Sequence, residues 1–179
     1  MPLIIQEAVN LFVGDDGPGN GKHLNLVSIK LPSLEEKSQD HFAGGAIGEI
    51  SIGGLGLNKL ESTFKIVGFD PQVMSAFGLN ARQSLPFTCY GGLRDKQGGR
   101  LIEIKAIMQG RLGKIEPDET RRGELMGHDH MIHEILRYQL WYDNKEKYFY
   151  DFFTAEWRVD GVSQNADLRN ILRISGAGT

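Results

Sequence analysis

The chain has 179 residues, of which 40% are hydrophobic and 24% charged, an ordinary composition for a globular protein that buries a sizeable core. Its formal net charge of −3 argues against a protein that binds nucleic acid regardless of sequence, because such proteins need a basic surface. No run approaches the roughly 18 apolar residues of a membrane span, and the single cysteine, Cys89, excludes an intrachain disulfide. We expect a single domain over residues 1–179, with no membrane anchor, made in a cytoplasm.

The first third of the chain alternates between short strands and turn-forming segments. Residues 8–13 predict an apolar strand, and residues 14–22, GDDGPGNGK, are typical of a turn. Residues 23–31 alternate again and end before Pro32. The charged segment that follows predicts an extended connector over residues 33–45.

Residues 42–68 contain seven of the chain's 23 glycines and no proline. Ile50 and Ile52 alternate with polar residues, and beyond residues 53–56 Leu60, Phe64 and Ile66 do the same. Period-two alternation is the signature of a strand with one buried face, and the glycines between indicate a bend or bulge. The segment therefore predicts two long strands, preceded by a glycine-hinged loop.

The second half predicts one short helix, four strands and a closing helix. Asp70 is a suitable N-cap and Pro71 a suitable first residue for a helix that ends at Gly78 and packs Val73, Met74 and Phe77 on a sheet. Strands are predicted over residues 84–93, 100–112, 125–142 and 147–159, the last aromatic on both faces. Ser163 is the expected cap of a helix over residues 163–173, with Leu168, Ile171 and Leu172 as its apolar stripe, and residues 175–179 form a loose tail.

These elements predict a mainly β fold with one or two short helices, an antiparallel β-sandwich or partial barrel. Glycine-rich residues 53–58 lack the lysine and the following helix of a phosphate-binding loop. We find no sequence pattern that supports a catalytic residue or a cofactor. The run GHDHMIHE offers the one candidate metal site, because on a strand His128, His130 and Glu134 share a face, with His133 nearby.

A polar face recurs on several predicted strands. It is either an ordinary solvent-exposed face of an antiparallel sheet or the wall of a water-filled channel. A channel wide enough for a polymer needs strands from several subunits, because lumen width grows with strand number. The residues concerned are Glu49, Ser51, Lys59, Glu61, Thr63, Lys65, Glu103, Lys105, Gln109 and Arg111.

Several short motifs resemble, in their order and spacing, the major tail tube protein of contractile-tailed bacteriophages. The resemblance covers residues 9–174. Its segments are Asn10-Leu11-Phe12, residues 28–34 (SIKLPSL), residues 42–46 (FAGGA), residues 54–57 (GLGL), residues 60–64 (LESTF), Arg111 with residues 114–116, residues 138–140 (YQL), and Gly161-Val162 through Arg169.

This resemblance implies a non-enzymatic subunit of hexameric rings that stack into the inner tube of a tail, through which DNA passes. It implies that residues 45–52, 57–67, 100–112 and 125–142 line the lumen as two hairpins. The connector would reach into the adjacent ring through Leu34, Glu35, Glu36, His41, Phe42, Gly44 and Gly45. Sheath, tape-measure, baseplate and terminator proteins are the implied partners. Alternatives are the tube of a DNA-free injection device and, more remotely, a metal- or ligand-binding β-domain.

Overall fold

The computed structural model describes residues 3–45, 47–79 and 84–174, which form antiparallel strands with two short helices. The fold class predicted from the sequence is confirmed. The elements in chain order are β1 (Ile4–Val13), β2 (Leu26–Lys30), β3 (Gln39–His41), β4 (Ile50–Ile52), β5 (Ser62–Val67), α1 (Pro71–Ser75), β6 (Leu85–Asp95), β7 (Leu101–Pro117), β8 (Gly127–Tyr142), β9 (Lys145–Asp151), β10 (Glu156–Val159), β11 (Val162–Ser163) and α2 (Ala166–Ile171). Neither helix, of five and six residues, is long enough to cross a membrane.

Nine strands of the described residues form one sheet in the order β1-β6-β7-β8-β9-β10-β11, with β5 added on β8 and β2 added on β5. The sheet curls until the segment before β2 reaches β1, where the Lys22 amide donates to the Leu11 carbonyl at 2.9 Å. Strands β1 and β2 do not pair, so the curled sheet remains an open barrel.

Strand β8 changes its neighbour along its length. Residues 127–132 pair with β5, whereas residues 137–142 pair with β9. Between them lies a bulge in which Glu134 has φ of 50° and the register with β7 shifts. Gly110 faces this bulge, and a Cβ there would lie 2.9 Å from the His133 carbonyl oxygen. The close approach of two backbones therefore requires a glycine at position 110.

The core fills the concave side of the curled sheet, and its residues follow the predicted alternation. Phe64 and Ile66 on β5, Met108 on β7, Ile132 and Tyr138 on β8 are all at most 2% exposed. Each such side chain contributes roughly 1.5–3 kcal/mol on burial. The buried face predicted for β5 is thus confirmed.

Helix α1 closes one end of this core. The Asp70 carboxylate accepts from the amides of Gln72 and Val73, both at 3.1 Å, and pairs with the buried Lys22 ammonium at 2.8 Å. The predicted cap and helix start are confirmed, and Val73 is fully buried. Met74 and Phe77 are 41% and 42% exposed, so the predicted stripe packs on the sheet only in part, although Phe77 forms a β-bridge with Leu112 of β7. The helix ends at Ser75, so the predicted end at Gly78 is wrong. The helix spans little more than one turn, which places only one side chain against the core.

The aromatic segment over residues 147–159 is two strands rather than one. After β9 the Asp151 carboxylate accepts from the amides of Phe153 and Thr154, each at 3.0 Å, and this turn reverses the chain into β10. Phe152 and Phe153 are consequently 59% and 75% exposed. The predicted strand buried on both faces is wrong because the side chain of Asp151 initiates a turn.

The closing helix α2 starts three residues later than predicted. Ser163 belongs to β11, and Asn165 precedes the helix while its side chain binds the Trp157 amide and the Ala155 carbonyl instead of capping. The predicted apolar stripe is largely exposed, at 56% for Leu168, 77% for Ile171 and 59% for Leu172. The predicted tail over residues 175–179 lies outside the described residues.

Residues 35–45 and 47–58 form a projecting two-stranded segment, which we call the arm. The Asn58 amide donates to Glu35, the Lys37 amide donates to Gly56, and further out β3 pairs with β4. The predicted hairpin of residues 45–52 with residues 57–67 is therefore wrong: β4 pairs within the arm, and β5 pairs with β2 and β8. Gly54 and Gly56 have φ of 80° and 112°, so the bend between β4 and β5 depends on glycine.

We expect Asp70→Ala to lower the free energy of unfolding by at least about 2 kcal/mol, because it removes a helix cap and leaves the buried Lys22 charge unpaired. Burial opposes ionisation of Asp70, but hydrogen bonds from Lys22 and the Val73 amide hold its pKa below the usual value. The stabilisation is thus present above about pH 3.9 and is lost as pH falls further.

Chemical denaturation at several pH values measures this loss. Lys22→Met combined with Asp70→Asn is the matched control, since it keeps a capping oxygen and removes both charges. A loss for Asp70→Ala no larger than that of the control would contradict the role of the buried pair.

Candidate functional site: a polar sheet face and a projecting arm

The convex side of the sheet around β5, β8 and β7 is a continuous polar surface, which we call the polar face. On β8 the residues opposite the core are Asp129, Met131 and His133, and they lie between β5 and β7. Glu61, Thr63 and Lys65 flank them on one side. On the other side are Glu103, Lys105, Gln109, Arg111, Lys114 and Glu116, all on β7. The structure thus brings together eight of the ten residues predicted to line a channel, including Lys59 beside Glu61.

Most cations of the polar face contact a carboxylate of the same chain. Lys59 lies 2.8 Å from Glu61, and Lys65 lies 2.6 Å from Asp118 and 3.3 Å from Asp129. Arg111 pairs with Glu134 at 3.1 Å and Lys114 with Glu116 at 2.5 Å. Lys30, which lies next to Thr63 on β2, makes none of the ion pairs found among the described residues. The face therefore carries alternating, mutually compensating charges instead of a basic patch.

The charge state of these pairs is stable near neutral pH. Hydrogen bonding to Lys59, opposed in part by burial, lowers the pKa of Glu61. Hydrogen bonding to Asp118 raises the pKa of Lys65. Both shifts favour the ionised forms, so the pairing persists over the whole physiological range.

The part of the convex side beyond the bulge is lined by aromatic rings with cations over them. Lys105 lies 5.0 Å from the centre of the Tyr90 ring, whose hydroxyl donates to Asp16 at 3.2 Å. Arg137 lies 5.2 Å from the centre of the Phe149 ring. Glu103 and Gln109 are exposed between them. Contacts of this kind hold the cations against the sheet and reduce their reach toward a passing anion.

Sequence reasoning missed the β8 members of the polar face and the loop residue Asp118. Asp129 and His133 lie in the same run as the candidate metal site of His128, His130 and Glu134, and the sequence did not assign them to the polar face. Lys114 and Glu116 fall beyond the predicted strand over residues 100–112, because β7 runs five residues further than predicted. The alternation of residues 128–132 carries the missing signal. Glu49 and Ser51, in contrast, lie on the arm, so they do not belong to the polar face.

The residues predicted to form a ring-stacking connector lie mostly on the arm. Leu34 packs partly against the core at the arm's base. The other six, which are exposed, are Glu35, Glu36, His41, Phe42, Gly44 and Gly45. The arm also exposes Ile47, Ile50 and Ile52, at 107%, 61% and 46%. Large apolar side chains on an isolated two-stranded ribbon indicate a surface that another chain covers.

Comparison with known proteins gives the family. The family model described as phage tail tube protein FII matches residues 8–172. The chain belongs to the phage tail tube protein FII family. It is a structural subunit of a tail tube, a component of a virion tail. No curated protein matches the sequence.

Two solved structures from an extracellular contractile injection system, PVC, are similar to this tail tube subunit. The sheath/tube terminator in its extended state has a TM-score of 0.51 and 10% identity, and the match covers 75% of this chain and 93% of that one. The sheath-tube complex in its extended state gives a TM-score of 0.47 and 12% identity over 70% and 82% of the chains. At this identity the first match shows a shared fold.

The histidine cluster is part of the tail tube fold's core and not a built metal site. His130 stacks on Phe64 with ring centres 4.7 Å apart, and His128 contacts the edge of Phe69 at 5.1 Å. Glu134 lies in the bulge on the convex side, paired with Arg111. The prediction that it shares a face with the two histidines is therefore wrong. Within the described residues no group of three potential ligands is positioned to hold a metal.

Burial lowers the pKa of His130, and its Nδ1 has no hydrogen-bond partner in the described structure. A histidine that is buried neutral stabilises the fold above its unfolded pKa of about 6.5, and this stability is lost as pH falls through the lower folded value. We expect acidification from about pH 7 to about pH 5 to lower the free energy of unfolding of the parent chain more than that of the His130→Phe variant. The variant keeps the ring stacking on Phe64 but has no group that can be protonated.

Denaturation of the dissociated chain at both pH values measures the difference. His133→Gln on the polar face is the control and should retain the acid sensitivity of the parent chain. Equal acid sensitivity in the parent and His130→Phe would contradict the role of His130.

Proposed function

We propose that this tail tube subunit forms hexameric rings that stack into the inner tube of a contractile phage tail, with the polar face lining the lumen. A contracting sheath would drive the tube through the host envelope, and the genome would leave through the lumen. The role is passive and involves no catalysis. Residues 1–179 act as one domain whose sheets join across subunits into a larger barrel.

The observation that carries this proposal is the self-compensation of charge on the polar face. DNA carries one negative charge per 1.7 Å or so of its axis, and every unpaired cation that meets a phosphate slows its passage. Lys65 is held between Asp118 and Asp129, and Arg111 is held by Glu134. A wall of this kind is wetted by water but offers few sites where a phosphate could bind.

The arm supplies the second element of the proposal, a contact between rings. Seven residues of extended chain, from Glu35 to His41, span about 20 Å. A two-stranded ribbon of this length is marginally stable in isolation, so its exposed isoleucines call for a partner surface. We assign this role to Glu35, Glu36, His41, Phe42, Gly44 and Gly45, together with the isoleucines of β4, with Leu34 anchoring the arm to the core.

The further partners are a sheath outside the tube, a tape-measure protein inside it during assembly, and baseplate and terminator proteins at its ends. The shared fold with a sheath/tube terminator supports the association with such proteins. Assembly takes place in the cytoplasm of the bacterial host. The alternative is the tube of a DNA-free injection device, which the shared fold with a sheath/tube terminator from a contractile injection system supports. Particles that lack a head would favour it.

Electron microscopy of the purified chain tests the assembly. We expect rings and tubes, and only monomers across salt and protein concentrations would contradict the proposal. Thr63→Cys tests the position of the polar face, since Thr63 lies on this face opposite Met131 and Cys89 is buried. In tubes this cysteine should react with a small maleimide but not with a polymer maleimide too large for the lumen, whereas dissociated subunits should react with both. Equal reaction of tubes with both reagents would place this face outside.

Removal of the carboxylates around Lys65 should make the tube retain DNA. We expect Asp118→Asn with Asp129→Asn to strengthen the binding of duplex DNA. The slope of the logarithm of the binding constant against the logarithm of the salt concentration should steepen by up to about one for each lysine left unpaired. Adding Lys65→Met to these two changes is the matched control and should restore weak binding. Binding that stays unchanged in the double variant would contradict charge compensation on this face.

A further inference from the structure

An apolar cavity of about 610 Å³ opens between the base of the arm, the turn from β9 to β10, and the start of α2. Leu55 and Leu57 line it from the arm, and Tyr150, Trp157 and Leu168 line it from the other elements. The Trp157 ring stacks on Tyr148 with centres 5.6 Å apart, which fixes the aromatic wall. The cavity has the size and lining of a site that accepts apolar side chains.

Ion pairs behind the cavity hold its walls together. Arg158 donates to both oxygens of Glu146 at 3.0 Å, and its guanidinium lies 3.7 Å from the centre of the Phe149 ring. Glu156 contacts Arg158 at 3.5 Å and Arg169 of α2 at 3.4 Å. The network links β9, β10 and α2, so the wall that these elements form is braced before anything binds to it.

The arm presents an apolar face of matching chemistry. In its register Ile50 lies opposite His41, Ile52 lies opposite Gln39, and these four side chains share one face. Asp40 and Ser51 share the other face. Although the arm starts at the cavity rim, both isoleucines are exposed, so the cavity does not hold the isoleucines of its own chain.

We propose that the Ile50 and Ile52 face of one copy's arm seats in this cavity of a second copy. The inference rests on the proposed function and names the acceptor surface for its ring-to-ring contact. Polar complementarity supports this occupant, because the imidazole of His41 shares the isoleucine face and the carboxylate of Glu36 lines the cavity. Both side chains are exposed, and neither is in an ion pair among the described residues. Because each copy offers one arm and one cavity, the contact is head-to-tail and propagates from copy to copy.

Disulfide trapping in assembled protein tests the contact. Cys89 is buried, and burial raises the pKa of its thiol to about 11, so it does not compete with introduced cysteines. Ile50→Cys with Leu168→Cys should give a ladder of linked subunits after mild oxidation. Ser51→Cys with Leu168→Cys, on the opposite face of the arm, is the matched control and should give at least tenfold less product. A linked monomer in place of a ladder would overturn the proposal, because it would place the arm in its own cavity.

The same experiment separates this contact from the proposed function. If tubes form but no ladder of linked subunits appears, the proposed cavity contact is wrong and the proposed tube function stands. If a ladder appears but no tubes form, the cavity contact is supported and the tube function is contradicted. Leu125 lies near the exposed apolar residues around α1 and serves as an alternative acceptor position. If Ile50→Cys with Leu125→Cys gives more linked product than Ile50→Cys with Leu168→Cys, the arm seats near α1 and the proposed cavity contact is wrong.

Trp157 gives an independent readout. With Trp141→Phe in the background, we expect the emission of Trp157 to shift to shorter wavelength on assembly, as the arm of a neighbour excludes water from the cavity. Ile50→Asp should abolish this shift and reduce tube formation while leaving thermal unfolding of the subunit unchanged, since Ile50 is exposed. An undiminished shift in Ile50→Asp would contradict the proposal.

Discussion

The fold depends on the way in which β8 is shared between two sets of neighbours. Its first half pairs with β5 and through it with β2, and its second half pairs with β9 and through it with β10. The bulge at Glu134, accommodated by Gly110 on the facing strand, separates the halves. One continuous strand therefore sets the curl of the barrel and the position of α2. It also fixes which side chains face outward.

The polar face follows from this arrangement. Because side chains alternate along a strand, burial of Phe64, Met108 and Ile132 obliges their neighbours to face the convex side. The cross-strand register then brings Lys65 beside Asp129 and His133 beside Glu61. Charge compensation on the surface that we propose for the lumen is thus a consequence of sheet register. The arm, in contrast, makes its hydrogen bonds outside the main sheet and presents apolar side chains for a second copy.

Features that depend on local periodicity were predicted correctly from the sequence. Features that depend on which strand pairs with which were not. The faces of β5 and β7 and the Asp70 cap could be derived from alternation and capping chemistry. The partner of β4 could not, because alternation does not show which neighbouring segment a strand pairs with. In the structure β4 pairs with β3 before it, and the chain bends at Gly54 and Gly56 after it. The polar face was half predicted: β5 and β7 supplied their residues, but Asp129 and His133 were hidden in a histidine-rich run. The tail tube family was recognised from ordered short motifs, and the family comparison confirms it.

A cryo-electron microscopy reconstruction of tubes assembled from this chain tests the central claim most directly. The account predicts that Thr63, Lys65 and Asp129 line the central channel, with Lys65 still paired to its carboxylates. A reconstruction in which these side chains face the outside of the tube, or are buried between subunits, would contradict it.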